Sequence, residues 1–333
     1  MLQALLVQRF LLQRLQALAT QAILAEGGPR SHHSLATQHR PEMVLAIRTP
    51  AGAPASHTPF AAATGVLLAC LVSGHGCAAD TSPWDGDGRS AVRLVAGGST
   101  GPSLRAGVEV RLASGWKTYW RYPGDSGVPP AFDFSKSENV KSVSVLWPAP
   151  HRFDYDGGAS IGYKGEVMFP LHVVLDDPAR PAALRLVLDY AVCEKLCVPA
   201  RGETELAVPP AQPAANEARL AAAEALTPKP VAVGQSVGTL GIVAVRLEPG
   251  APHPRVVVDV AAPAGAPLDL FAEGPTPDWA LPLPARVPGA APGHQRFVFD
   301  LDGAPPGIDG TGAPLRFTLV SGENAVEATA VPK

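Results

Sequence analysis

Two cysteines separated by three residues, Cys193 and Cys197, carry the sharpest chemical signal in this sequence. Thiols so close in the chain can close a small structural disulfide, exchange electrons by making and breaking that disulfide, or hold a soft metal ion such as Cu(I). Upstream, Leu184, Leu186 and Leu188 alternate with Arg185, Val187 and Asp189, and downstream Glu203, Glu205 and Ala207 alternate with Thr204, Leu206 and Val208. A period of two on both sides places the cysteines at the neck of a β-hairpin whose loop is Glu194-Lys195-Leu196. Residues at such a neck face each other across the ladder, within the Cα separation of about 4.4 to 6.8 Å that a disulfide accepts. The ring it would close is so small that it constrains the unfolded chain very little, so a redox role has to be weighed against a structural one. Lys195 would favour a neighbouring thiolate and Glu194 would disfavour it, which leaves the net direction open.

The chain around this pair has 333 residues, enough for two domains of ordinary size. Hydrophobic residues make up 46% and charged ones 17%, with 33 Gly and 36 Pro, a composition that suits a globular, turn-rich chain and disfavours long helices. The formal net charge is −3 and no basic stripe occurs, which excludes nucleic acid as a partner class. Four cysteines are too few for a disulfide scaffold, and no cofactor is expected.

The N-terminal stretch is expected to stand apart from the fold. Residues 1–42 read as a mis-called extension ahead of a start at Met43. Arg48, the apolar run 60–73 and the small residues Gly76, Ala78 and Ala79 then describe a secretory signal peptide over 43–79. A competing lipoprotein site at Leu67-Leu68-Ala69-Cys70 would lipidate Cys70 and bring the chain to a membrane. Cleavage near Ala79 removes Cys70 and Cys77 and leaves Cys193 and Cys197 only each other, or a partner, to react with.

Beyond the leader, strand periodicity recurs at 92–95, 104–112, 140–146 and 167–175 ahead of the cysteine hairpin. An aromatic cluster, Trp116, Tyr119, Trp120 and Tyr122, runs into a Pro-Gly-Asp turn, and a loop over 147–158 carries Trp147, Phe153 and Tyr155. This region, 88–210, is expected to be a β-sandwich. An Ala-rich segment within 211–232 reads as a short helical linker. Seven further strands, at 237–247, 256–260, 268–271, 279–283, 296–301, 315–320 and 325–331, predict a second sandwich over 233–333, with a binding or spacing role. The predicted fold class is all-β, with two β-sandwich domains.

The motifs Trp120-Arg121-Tyr122-Pro123-Gly124-Asp125-Ser126-Gly127, Trp147-Pro148-Ala149-Pro150, Gly162-Tyr163-Lys164-Gly165-Glu166, and Val192-Cys193 with Cys197-Val198-Pro199 together resemble the N-terminal periplasmic domain of the DsbD and ScsB thiol-disulfide reductases. The resemblance is closer to the ScsB branch, which is linked to copper tolerance, and spans roughly 92–209. It implies an immunoglobulin-like sandwich, carrying a redox pair at Cys193 and Cys197, that relays electrons from a membrane donor to thioredoxin-like periplasmic proteins. Cys197 would be the partner-facing attacker, Phe153 or Tyr155 would sit in a cap loop shielding the pair, and Tyr119 and Trp120 would flank it. The DsbD type proper has a longer cysteine spacing and continues into membrane and thioredoxin domains. No apolar run after residue 80 could span a bilayer, so the electron donor is expected to be a separate membrane protein.

Two other readings remain beside this one. A non-enzymatic secreted binding protein would use the pair as a structural disulfide. A copper module would join the cysteines to His151 or His172, although Met168 is the one methionine outside the leader. Asp125, Ser126 and His151 suggest parts of a hydrolase, yet Gly-Asp-Ser-Gly also reads as a turn and no acid is evident to orient a base.

Overall fold

The structure, a computed structural model, describes residues 80–124, 127–155, 158–263, 265 and 267–333. The expected leader over 1–79, with Cys70 and Cys77, lies outside the described residues, as do Asp125 and Ser126.

The first sandwich is built from β1 (Asp85–Gly86), β2 (Ser90–Thr100), β3 (Ser103–Leu112), β4 (Lys117–Gly124), β5 (Ala131–Asp133), β6 (Val140–Val145), β7 (His151–Tyr155), β8 (Gly158–Lys164), β9 (Glu166–Leu175), β10 (Ala182–Cys193) and β11 (Cys197–Val208). One sheet has the order β1-β2-β3-β9-β6, the other β11-β10-β4-β8-β7, with β5 paired to β10. Alternation decides what faces inward. On β3, Leu104, Ala106, Val108 and Val110 enter the core beside Phe169 of the neighbouring β9, where they meet Ile161, Leu184, Leu186 and Leu188 of the facing sheet. The segment expected as a loop over 147–158 is in part a hairpin, because His151 to Tyr155 pair with Gly162 to Gly158.

Helix α1 (Glu217–Ala225) follows, and it is docked on the outer face of β2, β3 and β9. Leu220 is fully buried over Gly97 and Gly107, where an added Cβ would lie 2.5 and 3.0 Å from its methyl carbons. Glu217 accepts from the Gly98 backbone N–H and pairs with Arg105, while Arg219 reaches the buried carboxylate of Glu109. The expected linker is therefore a packed element of the first sandwich.

The second sandwich comprises β12 (Lys229–Pro230), β13 (Ser236–Val237), β14 (Leu240–Glu248), β15 (Arg255–Ala261), β16 (Asp269–Glu273), β17 (Ala285–Val287), β18 (His294–Asp300), β19 (Leu315–Ser321) and β20 (Asn324–Ala330). Its sheets run β12-β20-β19-β16 and β13-β14-β15-β18-β17 around Ile242, Val256, Val258, Phe297, Phe317 and Leu319. The strand expected over 279–283 does not form. Trp279 and Leu281 are buried, but Pro282 and Pro284 lack the N–H groups a ladder needs, so the stretch fills the core without pairing. The structure is all-β in its sheets and has the two-sandwich architecture expected from the periodicity. Among the described residues no helix is long and apolar enough to cross a membrane.

Candidate functional site

Strands β10 and β11 keep one unbroken register from Ala182 opposite Val208 to Cys193 opposite Cys197. The cysteines are thus the last pair before the turn, and directly opposed residues put their side chains on the same face. Val192 and Tyr190 point the other way, into the main core. Both cysteines are free thiols, but their settings differ: Cys193 is 8% exposed, whereas Cys197 is exposed beside Leu196, which is 79% exposed at the tip of the turn.

β4 pairs with β10 on the side away from β11, with Lys117 opposite Cys193 and Thr118 opposite Val192. This brings Tyr119 to the pair. Its ring is 2% exposed and clusters with Ala191 and Cys193, separate from the main core, and its hydroxyl lies 2.8 Å from Cys197 Sγ. Burial first, and then the two sulfurs, hold the phenol far above its ordinary pKa. It therefore keeps its proton over the range in which thiols ionise and donates to a sulfur anion. Burial also pushes the Cys193 thiol up, as does its hydrogen bond with Cys197, while Tyr119 and the charge of Lys117 act in the opposite direction. The direction left open by Glu194 and Lys195 is decided by desolvation, and the cation that bears on the buried thiol comes from β4.

Two glycines make room for this floor. Gly162 on β8 lies opposite Tyr119, and a Cβ there would sit 1.9 Å from the Thr118 carbonyl oxygen. Gly127 closes over the Tyr119 ring, where a Cβ would lie 2.6 Å from two ring carbons. Gly127 thus covers the tyrosine.

The aromatic residues expected in a cap lie on the β7–β8 hairpin at the edge of the same sheet. Phe153 is half-buried beneath Lys164 Nζ, 4.4 Å from its ring centroid, and Lys117 Nζ, at 5.5 Å. Tyr155 lies 5.7 Å from Lys117 Nζ, and that ammonium also donates to Ser160 Oγ at 3.1 Å. Phe153 and Tyr155 are therefore joined to the cysteine face through a lysine whose backbone pairs with Cys193. Sequence reasoning passed over Lys117, Lys164 and Ser160, because their place at the pair depends on cross-strand register.

Trp120 is not brought to the pair. Alternation along β4 sends it to the opposite face, fully buried in the core and 5.7 Å from the Phe271 ring. The histidines considered as metal ligands are also dispersed. His172 is on β9 in the other sheet, 3.8 Å from Glu224, and His151 stands at the start of β7. Among the described residues no group of three or more His, Cys, Asp or Glu side chains is arranged to hold a metal ion.

Residues 89–209 match the family model of the thiol:disulfide interchange protein DsbD, N-terminal. Among solved structures, the N-terminal periplasmic domain of ScsB from Proteus mirabilis is similar over 76% of this chain and 99% of that chain, with a TM-score of 0.59 and 23% sequence identity. That share extends past the first sandwich, and at this identity it speaks for the fold. No curated protein matches the chain. With both the sequence model and the sandwich architecture falling on the segment that ends in the cysteine hairpin, residues 89–209 are a domain of the DsbD N-terminal type, with the fold of the ScsB N-terminal periplasmic domain.

Proposed function

We propose that this domain is a thiol-disulfide interchange module in which Cys197 meets the partner and Cys193 completes the exchange. The observation that carries the reading is the asymmetry of the pair. Cys197 is exposed and has the Tyr119 hydroxyl at 2.8 Å, whereas Cys193 is buried with its thiol pKa raised. The accessible sulfur has a donor ready for its anion, as an attacking or leaving thiolate requires.

The proposed exchange runs in two steps. The Cys197 thiolate attacks one sulfur of a partner disulfide, forming a mixed disulfide and releasing the partner's other sulfur as a thiolate, which takes up a proton. Cys193, opposite in register, loses its proton and attacks Cys197 Sγ. The mixed bond breaks, the Cys193–Cys197 disulfide forms, and the partner leaves as a dithiol with two electrons gained. The rings of Phe153 and Tyr155, held at Lys117 and Lys164, border the face on which the partner must dock.

The partners fitting this chemistry are thioredoxin-like proteins of the periplasm, reached through the leader expected over 43–79. A separate membrane protein presenting a dithiol would reduce the pair again. Mixing the reduced protein with an oxidised thioredoxin-like protein tests the assignment. Cys193→Ser is expected to accumulate the mixed disulfide, and Cys197→Ser to form none. Accumulation with Cys197→Ser alone would reverse the roles, and none with either variant would remove the exchange function.

A further inference from the structure

Strand β4 carries the floor of the cysteine pair on one face and a seam with the second sandwich on the other. Its ladder with β8 runs from Lys117 to Tyr119 and resumes at Gly124 opposite Ser160. Residues 120 to 123 thus stand opposite Ile161 alone, and a bulge of this kind re-aims the strand and its side chains. Three of the looped-out residues are engaged by the second sandwich. Trp120 packs on Phe271 of β16, and the Arg121 guanidinium reaches Glu273 of β16 with bonds of 2.7 and 2.9 Å and contacts Glu327 of β20. The Tyr122 hydroxyl donates to the Leu281 carbonyl.

These contacts are well removed from water. The Arg121 and Glu273 side chains are 17% and 13% exposed, and Phe271, Val320 and Ala325 of the second sandwich belong to the core cluster of the first. Removing Arg121 from so buried a cluster leaves Glu273 without its paired cation and Glu327 with only the half-exposed Arg316, 3.8 Å away. The second sandwich also approaches the cap hairpin, where His151 and Asp269 line one cavity. Asp269 of β16 lies in the field of His151 and Arg152, and of the like charge of Asp154, on β7. The segment that leaves the ladder for the second sandwich begins one residue after Tyr119 and rejoins it at Gly124, and Gly127 lies against the Tyr119 ring.

From this we propose that the second sandwich is a positioning element for the cysteine pair, with Arg121 as its point of action. By holding the bulge of β4 against β16 and β20, it sets the phenol that donates to Cys197. Arg121 is a positioning residue; it acts on the sulfur through Tyr119.

The inference is tested without any protein partner, so it stands or falls apart from the exchange reading. In a Cys193→Ser background the rate of Cys197 alkylation by iodoacetamide is measured near pH 7 for Tyr119→Phe, Arg121→Met and the double variant. Tyr119→Phe is expected to slow the reaction about fourfold, the scale of one hydrogen bond to a thiolate after allowance for its altered nucleophilicity. Arg121→Met is expected to slow it by a comparable factor, and the double variant to be no slower than Tyr119→Phe alone. Near-ultraviolet circular dichroism reports whether the variants fold. If Arg121→Met does not, Arg121→Met with Glu273→Gln and Glu327→Gln removes the stranded charges and is measured in its place. An unchanged rate in the folded variant, or a double variant slowed by the product of the two single effects, would overturn the proposal.

Discussion

Replacing Tyr119 by Phe removes one oxygen atom from a ring that is otherwise packed in place, and so isolates the donor at Cys197. A hydrogen bond to a charged group contributes about 1.5 to 3 kcal/mol, and the lower end applies here because Cys197 is exposed and water competes for the anion. Losing about 1.5 kcal/mol of anion stabilisation, roughly tenfold, is offset in part by a nucleophilicity about threefold greater for a Brønsted coefficient near 0.45, so the alkylation rate falls about fourfold. The assay is iodoacetamide alkylation of reduced protein carrying Cys193→Ser, followed by intact-mass spectrometry, with thermal unfolding as the control for packing. A rate that stays constant or rises, in a variant that unfolds like its parent, would refute the argument that the phenol serves the sulfur anion.

The buried thiol makes the opposite kind of prediction. In Cys197→Ser, the ultraviolet thiolate absorbance of Cys193 should appear with a midpoint above the ordinary value of 9.0, because burial is the largest cause of its shift. Since the native state then holds that proton longer than the unfolded chain, the reduced protein has its full stability below about pH 9 and loses stability as pH rises beyond it. Lys117→Met should move the Cys193 midpoint further up, as it removes the charge that favours the thiolate. Gly162→Ala puts a Cβ against the Thr118 carbonyl oxygen and should cost about 3 kcal/mol in urea unfolding, the upper range for forced overpacking. Leu220→Ala should cost about 3 kcal/mol as well, by emptying the contact between α1 and the two glycines beneath it, and is read from the same titration.

How much of this was legible in the chain depends on how local each determinant is. The cysteine hairpin could be read directly, because the alternation of Leu184, Leu186 and Leu188 and of Leu206 and Val208 states which face of each strand is buried. The same period of two runs through most strands of both sandwiches and made the all-β class readable. It misled at 279–283, where apolar alternation satisfied the core but the prolines denied the ladder. Sequence could also single out the neighbours Tyr119 and Trp120 as candidates, but not separate them. One meets Cys197 and the other the second sandwich, and that choice rests on the register of β4 against β10 and on the bulge after Tyr119.

By itself, then, the sequence determined most of the strands, the hairpin that opposes the two thiols and the leader-like composition ahead of them, since each follows from residues adjacent or nearly adjacent in the chain. Only the tertiary structure decided which thiol is buried, that Lys117 and Tyr119 attend the pair, that Leu220 docks α1 on Gly97 and Gly107, and that Arg121 ties β4 to the second sandwich. Desolvation and hydrogen bonding at a sulfur depend on atoms from strands far apart in the chain. Their positions are set by register and packing, which no local pattern encodes.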